Sequence, residues 1–163
     1  MASSLLTESQ RDAVFETIVD TSNAVVLPRF QNLSAGEVDT KSSPTDLVTV
    51  ADREAEVRLS AALTSILPGS LVVGEEGVSA DPSILNAING DAPVWIVDPV
   101  DGTRNFANGQ TPFCVMVGLV LGGVQIGAWI WRPIDAEMVL AFRDEGATLI
   151  ETSTGHSRNL RVT

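Results

Sequence analysis

The stretch Val94-Trp-Ile-Val-Asp-Pro-Val-Asp-Gly-Thr-Arg-Asn-Phe106 begins as an apolar run and ends in two aspartates, Asp98 and Asp101, set around a proline just before Gly-Thr. Val94 to Val97 reads as a buried strand. A core strand has no use for two carboxylates at its end, since each is costly to desolvate without a partner. Two readings are open: the pair stabilises a turn and a helix start, or it holds something positively charged. Pro99 fixes its own φ, carries no N–H and keeps Asp98 extended. The chain then turns, bringing Asp101 back beside Asp98. Gly102 and Thr103 start a helix or turn whose free amides point outward, an anion site suited to phosphate. Carboxylates for a hard cation beside amides for a phosphate describe a metal-assisted phosphoryl-transfer site. The plainer alternative makes Asp101 a helix cap and Asp98 an Asx-turn residue.

Working outward, Thr7-Glu8-Ser9-Gln10 reads as a capping box opening a helix that carries Val14, Ile18, Thr21 and Val25 on one face and ends near Pro28. Asn32 to Pro44 is polar and reads as a loop. Thr49-Val50-Ala51-Asp52 is a second N-cap, followed by a helix with Leu59, Ala62, Leu63 and Ile66 inward, stopped at Pro68-Gly69. Leu71 to Val73 is a short buried strand running into Gly74-Glu75-Glu76-Gly77, and a short helix follows Asp81-Pro82. Beyond Phe106 the period changes. Phe113 to Leu121, Val124 to Trp131, Met138 to Phe142 and Ala147 to Ile150 are strand-like, and a turn at Thr154-Gly155 precedes Leu160 to Thr163. Helices first and a meander of strands later predicts an α+β fold: two long N-terminal helices packed on a largely antiparallel β-sheet. Residues 1–163 are expected to form one domain.

A chain of 163 residues with 44% hydrophobic and 19% charged residues is ordinary for a folded protein. The formal net charge of −11 repels nucleic acid and anionic membranes, so neither is an expected partner. No apolar run approaches a membrane span, and the N-terminus lacks the pattern of a signal peptide, so a cytoplasmic location is expected. Cys114, the one cysteine, reads as a buried, reduced thiol. Trp95, Trp129 and Trp131 fall at core strand positions. His156, the one histidine, reads as a surface residue, which argues against zinc.

Glu75-Glu76 is the second place where an apolar strand delivers carboxylates into a glycine-rich loop; alone, it also reads as solvated loop. If the two strands are neighbours, Glu75, Asp98 and Asp101 converge, and three such carboxylates repel one another unless a divalent cation neutralises them. Asp52 is the third residue of a capping box, a structural role that stands beside a site role. Lys41, the one lysine, lies in a polar loop, either solvated or functional.

Together these residues resemble the N-terminal half of the inositol monophosphatase family, Mg²⁺-dependent, lithium-sensitive phosphomonoesterases related to fructose-1,6-bisphosphatases. The matching motifs are Lys41-Ser-Ser-Pro-Thr-Asp-Leu-Val-Thr-Val-Ala-Asp52, Gly74-Glu75-Glu76 and Trp95-Ile-Val-Asp98-Pro-Val-Asp101-Gly-Thr-Arg-Asn-Phe106. The resemblance implies that Glu75, Asp98 and the Val100 carbonyl bind a first Mg²⁺, and that Asp98 bridges to a second also held by Asp101. Glu75 and Thr103 would position and activate the attacking water, with Asp52 hydrogen-bonded to the Thr103 hydroxyl. The Gly102 and Thr103 amides would hold the phosphate, while Glu76 and Lys41 would support the site or a third ion. Substrate would contact Glu75, Val100, Asp101, Gly102 and Thr103. Inhibition by Li⁺ and a homodimer are further expectations. Asn105-Phe106 favours an inositol- or histidinol-phosphate-like substrate, and Arg104 reads as a solvated surface arginine.

The family pattern continues with a second domain carrying a Trp-Asp-x-Ala-Ala-Gly-like motif, which this sequence lacks. The resemblance therefore implies a second metal site short of one ligand, weak Mg²⁺ binding and poor turnover. An incomplete half-domain that binds metal or a partner chain is the alternative. A haloacid-dehalogenase-type phosphatase fits less well, because Asp98-Pro-Val-Asp101 is one residue longer than Asp-x-Asp.

Overall fold

The structure, a computed structural model, describes residues 5–41 and 47–161. Helix α1 (Glu8–Thr21) opens on the expected capping box. The Thr7 hydroxyl accepts from the Gln10 amide, and the Gln10 side chain accepts from the Thr7 amide at 2.9 Å. Val14, Ile18, Thr21 and Val25 are buried along one stripe. The helix widens into a π turn over Ser22–Val26 and tightens into a 3-10 turn over Leu27–Arg29, where Pro28 has no amide to continue it.

The polar stretch after Asn32 is not all loop. Ala35–Glu37 forms a 3-10 turn, and strand β1 (Val38–Thr40) pairs antiparallel with β2 (Leu47–Thr49). Three-residue strands give too short an alternation to be read locally. The predicted motif Lys41 to Asp52 runs in part through residues 42–46, which lie outside the described residues. Helix α2 (Val50–Ile66) follows from the Thr49 cap and buries Ala51, Asp52, Ala55, Leu59 and Leu63.

Seven strands form the main sheet in chain order: β3 (Leu71–Gly74), β4 (Val94–Asp101), β5 (Cys114–Leu121), β6 (Val124–Arg132), β7 (Glu137–Phe142), β8 (Gly146–Glu151) and β9 (His156–Leu160). Every pairing is antiparallel except β3 with β4, which run parallel with Gly74 opposite Val97. The α+β class and the largely antiparallel sheet are as the sequence predicts. Strand β9 starts four residues earlier than expected, and Leu71 is 47% exposed on edge strand β3 rather than buried. Among the described residues no helix is long and apolar enough to cross a membrane.

The helices and one face of the sheet enclose the core, which holds Val14, Ile18, Leu59, Leu63, Trp95, Val97, Val100, Trp129 and Trp131. Burying each of these larger side chains contributes roughly 1.5–3 kcal/mol. Trp95 is fully buried yet satisfied, its Nε1 donating to Ser70 Oγ at 3.0 Å. Arg11 fastens α1 to the outer strands: its guanidinium lies 3.8 Å from the centroid of Phe142 and pairs in two contacts with Glu145.

Candidate metal and phosphate site

The parallel β3–β4 pair brings two strand ends to the same edge of the sheet, so Glu75 and Asp98 become neighbours. A bulge brings Asp101 with them. Between Asp98 and Asp101 the register against β5 slips, Asp98 facing Met116 and Asp101 facing Cys114, so β4 advances three residues while β5 advances two. Pro99, which has no amide for a ladder bond, sits in this irregular stretch. The extra residue changes the alternation: Val97 and Val100 join the core, and both aspartates are left off it.

Past Asp101 the chain turns through Gly102, whose φ of 89° lies in the left-handed region, into the short helix α4 (Thr103–Ala107). A side chain at Gly102 would also meet the Pro112 carbonyl at 3.0 Å. Phe106 is fully buried and packs with Phe30 and Phe113 at centroid distances of 5.9 and 5.1 Å, which fixes α4 against the core. Asn105 gives its side-chain amide to the Pro112 carbonyl at 2.8 Å, so it serves the following loop. Arg104 is exposed, as the sequence implies.

Asp52 links α2 to this turn. Its Oδ2 accepts from the Thr49 amide at 2.8 Å and from the Thr49 hydroxyl, completing the capping box. Its Oδ1 lies 3.1 Å from Thr103 Oγ1, which also lies 2.9 Å from the Val100 carbonyl oxygen. The cap and the site contact therefore coexist in one carboxylate. Burial pushes the Asp52 carboxyl above the ordinary aspartate range, against the pull of its Thr49 and Thr103 hydrogen bonds.

Glu75 and Glu76 do not lie in a loop; they form the first turn of helix α3 (Glu75–Ala80). Lys41 is likewise not a solvated lysine. Its Nζ stands 2.6 Å from Glu75 Oε1 and 2.7 Å from Glu76 Oε1, with its side chain 10% exposed. Burial alone would lower the ammonium's pKa, but the hydrogen bonds and charges of both glutamates outweigh it and hold it above its usual value. Burial raises Glu76, opposed by Lys41.

Asp98 carries the largest tension. Its Oδ1 is buried with no hydrogen-bond partner. Burial first, then the charge of Glu75 and a hydrogen bond with it, then Asp101 and Asp52, push this carboxyl from 3.8 to about 7. An orphaned carboxylate oxygen amid other carboxylates is the donor set of a hard divalent cation, so these residues fit such an ion. The convergence is looser than the sequence implies. Among the described residues no three Asp, Glu, His or Cys side chains close into one cage. Lys41 draws the Glu75 carboxylate to itself, and Asp101 is exposed, with the Cys114 thiol 3.5 Å from its Oδ2. Cys114 is half-buried rather than buried, and burial with the nearby Asp101 charge pushes its thiol up to about 12.

Glu56 escapes the sequence reading. It lies on α2 four residues after Asp52, and its carboxylate accepts the amides of Glu76 at 2.8 Å and Gly77 at 2.9 Å. Its spacing from Asp52, which puts both on one helix side, is the signal that could have found it.

A strand-end carboxylate pair, a bulged aspartate and a glycine-threonine turn thus meet at one edge of an α+β scaffold. A sequence model of the inositol monophosphatase family matches residues 8–162, and the chain belongs to that family. The inositol-1-monophosphatase of Bacillus subtilis is 35% identical over 115 residues, covering 71% of this chain and 42% of that protein. Among solved structures, the extragenic suppressor protein suhB from Bartonella henselae superposes with a TM-score of 0.74 at 27% identity, covering 96% of this chain and 55% of that one. An IMPase/NADP phosphatase solved with NADP and Ca²⁺ gives a TM-score of 0.70 at 25% identity, covering 86% of this chain and 51% of that one. The chain thus spans about half or less of the length of these relatives.

Proposed function

We propose that these residues bind Mg²⁺ and the phosphate of a small phosphomonoester, and serve its hydrolysis as the metal- and phosphate-binding unit of an inositol monophosphatase-type enzyme. The observation that carries this reading is Asp98: a buried, partnerless carboxylate oxygen whose proton affinity is driven up by burial and by neighbouring acids. Asp98, Glu75, Asp101 and the Val100 carbonyl would hold the cation, with Glu76 and Lys41 beside them. A bound divalent cation supplies Lewis acidity toward the phosphoryl oxygens.

The chain's own groups do the rest. Thr103 Oγ1 has one proton to give, to Asp52 or to the Val100 carbonyl, and its lone pairs stay free to accept from a water. Asp52, held by Thr49, fixes that hydroxyl's direction. Glu75 is the base that takes the water's proton, once its carboxylate leaves Lys41. The Gly102 and Thr103 amides receive the phosphate oxygens. Family membership and the Asn105-Phe106 sequence support an inositol-phosphate-like or histidinol-phosphate-like substrate.

The test is direct Mg²⁺ binding together with Mg²⁺-dependent phosphate release from a panel of phosphomonoesters, for the chain and its Asp98→Asn variant. Binding that disappears in the variant is expected. Equal Mg²⁺ affinity in both chains refutes the reading.

A further inference from the structure

Helix α2 touches both strand-end turns. Asp52 reaches the turn after β4 through Thr103, and Glu56, one helical turn later, reaches the turn after β3. The second contact has an unusual form. The residue capping α3 is Gly74, which offers no side chain to the free amides of that helix. The Glu56 carboxylate takes the cap's place from another element, with Oε2 on the Glu76 amide and Oε1 on the Gly77 amide.

Gly74 has a φ of −98°, open to any residue, so backbone freedom does not explain the glycine. Space does. A Cβ built on Gly74 would lie 2.3 Å from Glu56 Cδ and 2.5 Å from each carboxylate oxygen. Glycine at this position is the seat of the Glu56 carboxylate. The first turn of α3 already carries Glu75 and Glu76, so a third acid is drawn there by the two amides it accepts and by the positive end of the peptide dipoles.

We propose that Glu56 is a positioning residue for the cation site: seated on Gly74, it fixes the β3–α3 turn so that Glu75 stands beside Asp98. It touches neither cation nor substrate. The inference rests on the cation-binding reading above and extends it to a residue outside the three motifs. It makes α2 the common support of both turns, Asp52 setting one and Glu56 the other.

The experiment measures Mn²⁺ binding by the paramagnetic resonance signal of free Mn²⁺. Amide hydrogen exchange at Glu76 and Gly77 and thermal melting accompany it. The 163-residue chain is compared with Glu56→Gln, Glu56→Ala, Gly74→Ala and the double variant Glu56→Ala/Gly74→Ala. Glu56→Gln keeps the side-chain shape but turns an N–H toward an N–H, and is expected to weaken Mn²⁺ binding about tenfold or more, as loss of a group that orients a metal ligand does. Exchange at both amides should accelerate in Glu56→Ala. Gly74→Ala should match Glu56→Ala in the wild-type background and add nothing to it in the double variant, because the carboxylate it displaces is already gone. Mn²⁺ affinity unchanged in folded Glu56→Gln overturns the inference, even if melting falls, since that is the behaviour of a merely structural residue. Additive effects of the two alanine substitutions overturn it as well. A wild-type chain that binds no Mn²⁺ refutes the proposed function before any substitution is made. Amide exchange then decides the anchoring of the turn: protection lost in Glu56→Ala supports it, and unchanged protection overturns it.

Discussion

Replacing Asp98 by asparagine should stabilise the cation-free chain at neutral and alkaline pH. The carboxyl is raised from 3.8 to about 7 by burial and by Glu75, Asp101 and Asp52. Between those two values the folded chain holds a proton that the unfolded chain has released. Stability therefore falls as pH rises through this window, and the full penalty persists above pH ~7. At ~1.4 kcal/mol per pH unit the rise corresponds to ~4 kcal/mol. Asp98 is only half-buried, and screening by solvent reduces this to about 2 kcal/mol. For a chain of this size that is about 4–8 °C in melting temperature. Asparagine removes the charge, and its amide N–H₂ can still donate to Glu75. Thermal melts of both chains in EDTA, from pH 4 to 9, should show a gap that is absent at the acid end, grows toward pH 7 and then levels. Added Mg²⁺ should reverse the order, raising the wild-type melting temperature by mass action and leaving the variant unmoved. A variant no more stable than wild type at pH 8 in EDTA would refute the assignment of Asp98 as the strained, uncompensated carboxylate.

Thr103→Ala should leave Mg²⁺ affinity nearly intact while lowering phosphate release by roughly 10²-fold or more, as loss of a water-positioning group does. Equal loss of metal binding in this variant and Asp98→Asn contradicts the separate roles. Lys41→Met removes the ammonium between Glu75 and Glu76 and should cost about 1–3 kcal/mol at pH 8 without cation, by analogy with an orphaned hydrogen-bond partner. Melts with and without Mn²⁺ should show a larger cation-induced gain than in wild type. Thr49→Ala loses the α2 cap and one support of Asp52, and should cost about 1–2 kcal/mol in urea unfolding with an unchanged m-value.

The two long helices, the long strands and the strand-end positions of Glu75, Asp98 and Asp101 were legible because each is written locally, in capping boxes, alternation and Pro/Gly punctuation. What was missed is non-local. Helix α3 looks like loop because its cap is a carboxylate from α2, some twenty residues earlier in the chain. The β1–β2 pair is too short to show a period. Lys41 stays open between a solvated and a functional role until the two glutamates that hold it are placed in space. Cys114 begins a core strand, yet the bulge beside Asp101 leaves it half-covered at the sheet's end. The bulge itself could be located at Pro99 from the sequence, but its effect on which side Asp101 falls required the register against β5. The family resemblance named roles for Val100 and Thr103 that side-chain patterning alone would not.

Because the seven strands lie in the sheet in the same order as in the chain, β4 to β9 assemble through contacts between immediate neighbours. Pairings of this kind close short loops and form quickly. Joining β3 to β4 in parallel requires a crossover through α3, and seating Glu56 on Gly74 requires α2 to be docked first. The ligand-bearing edge thus depends on contacts that close longer loops than the turns of the β5–β9 meander, and in refolding it should gain protection after that meander. A chain could then regain its full β signal while its cation-binding edge is still open, so recovery of secondary structure would overstate recovery of the site.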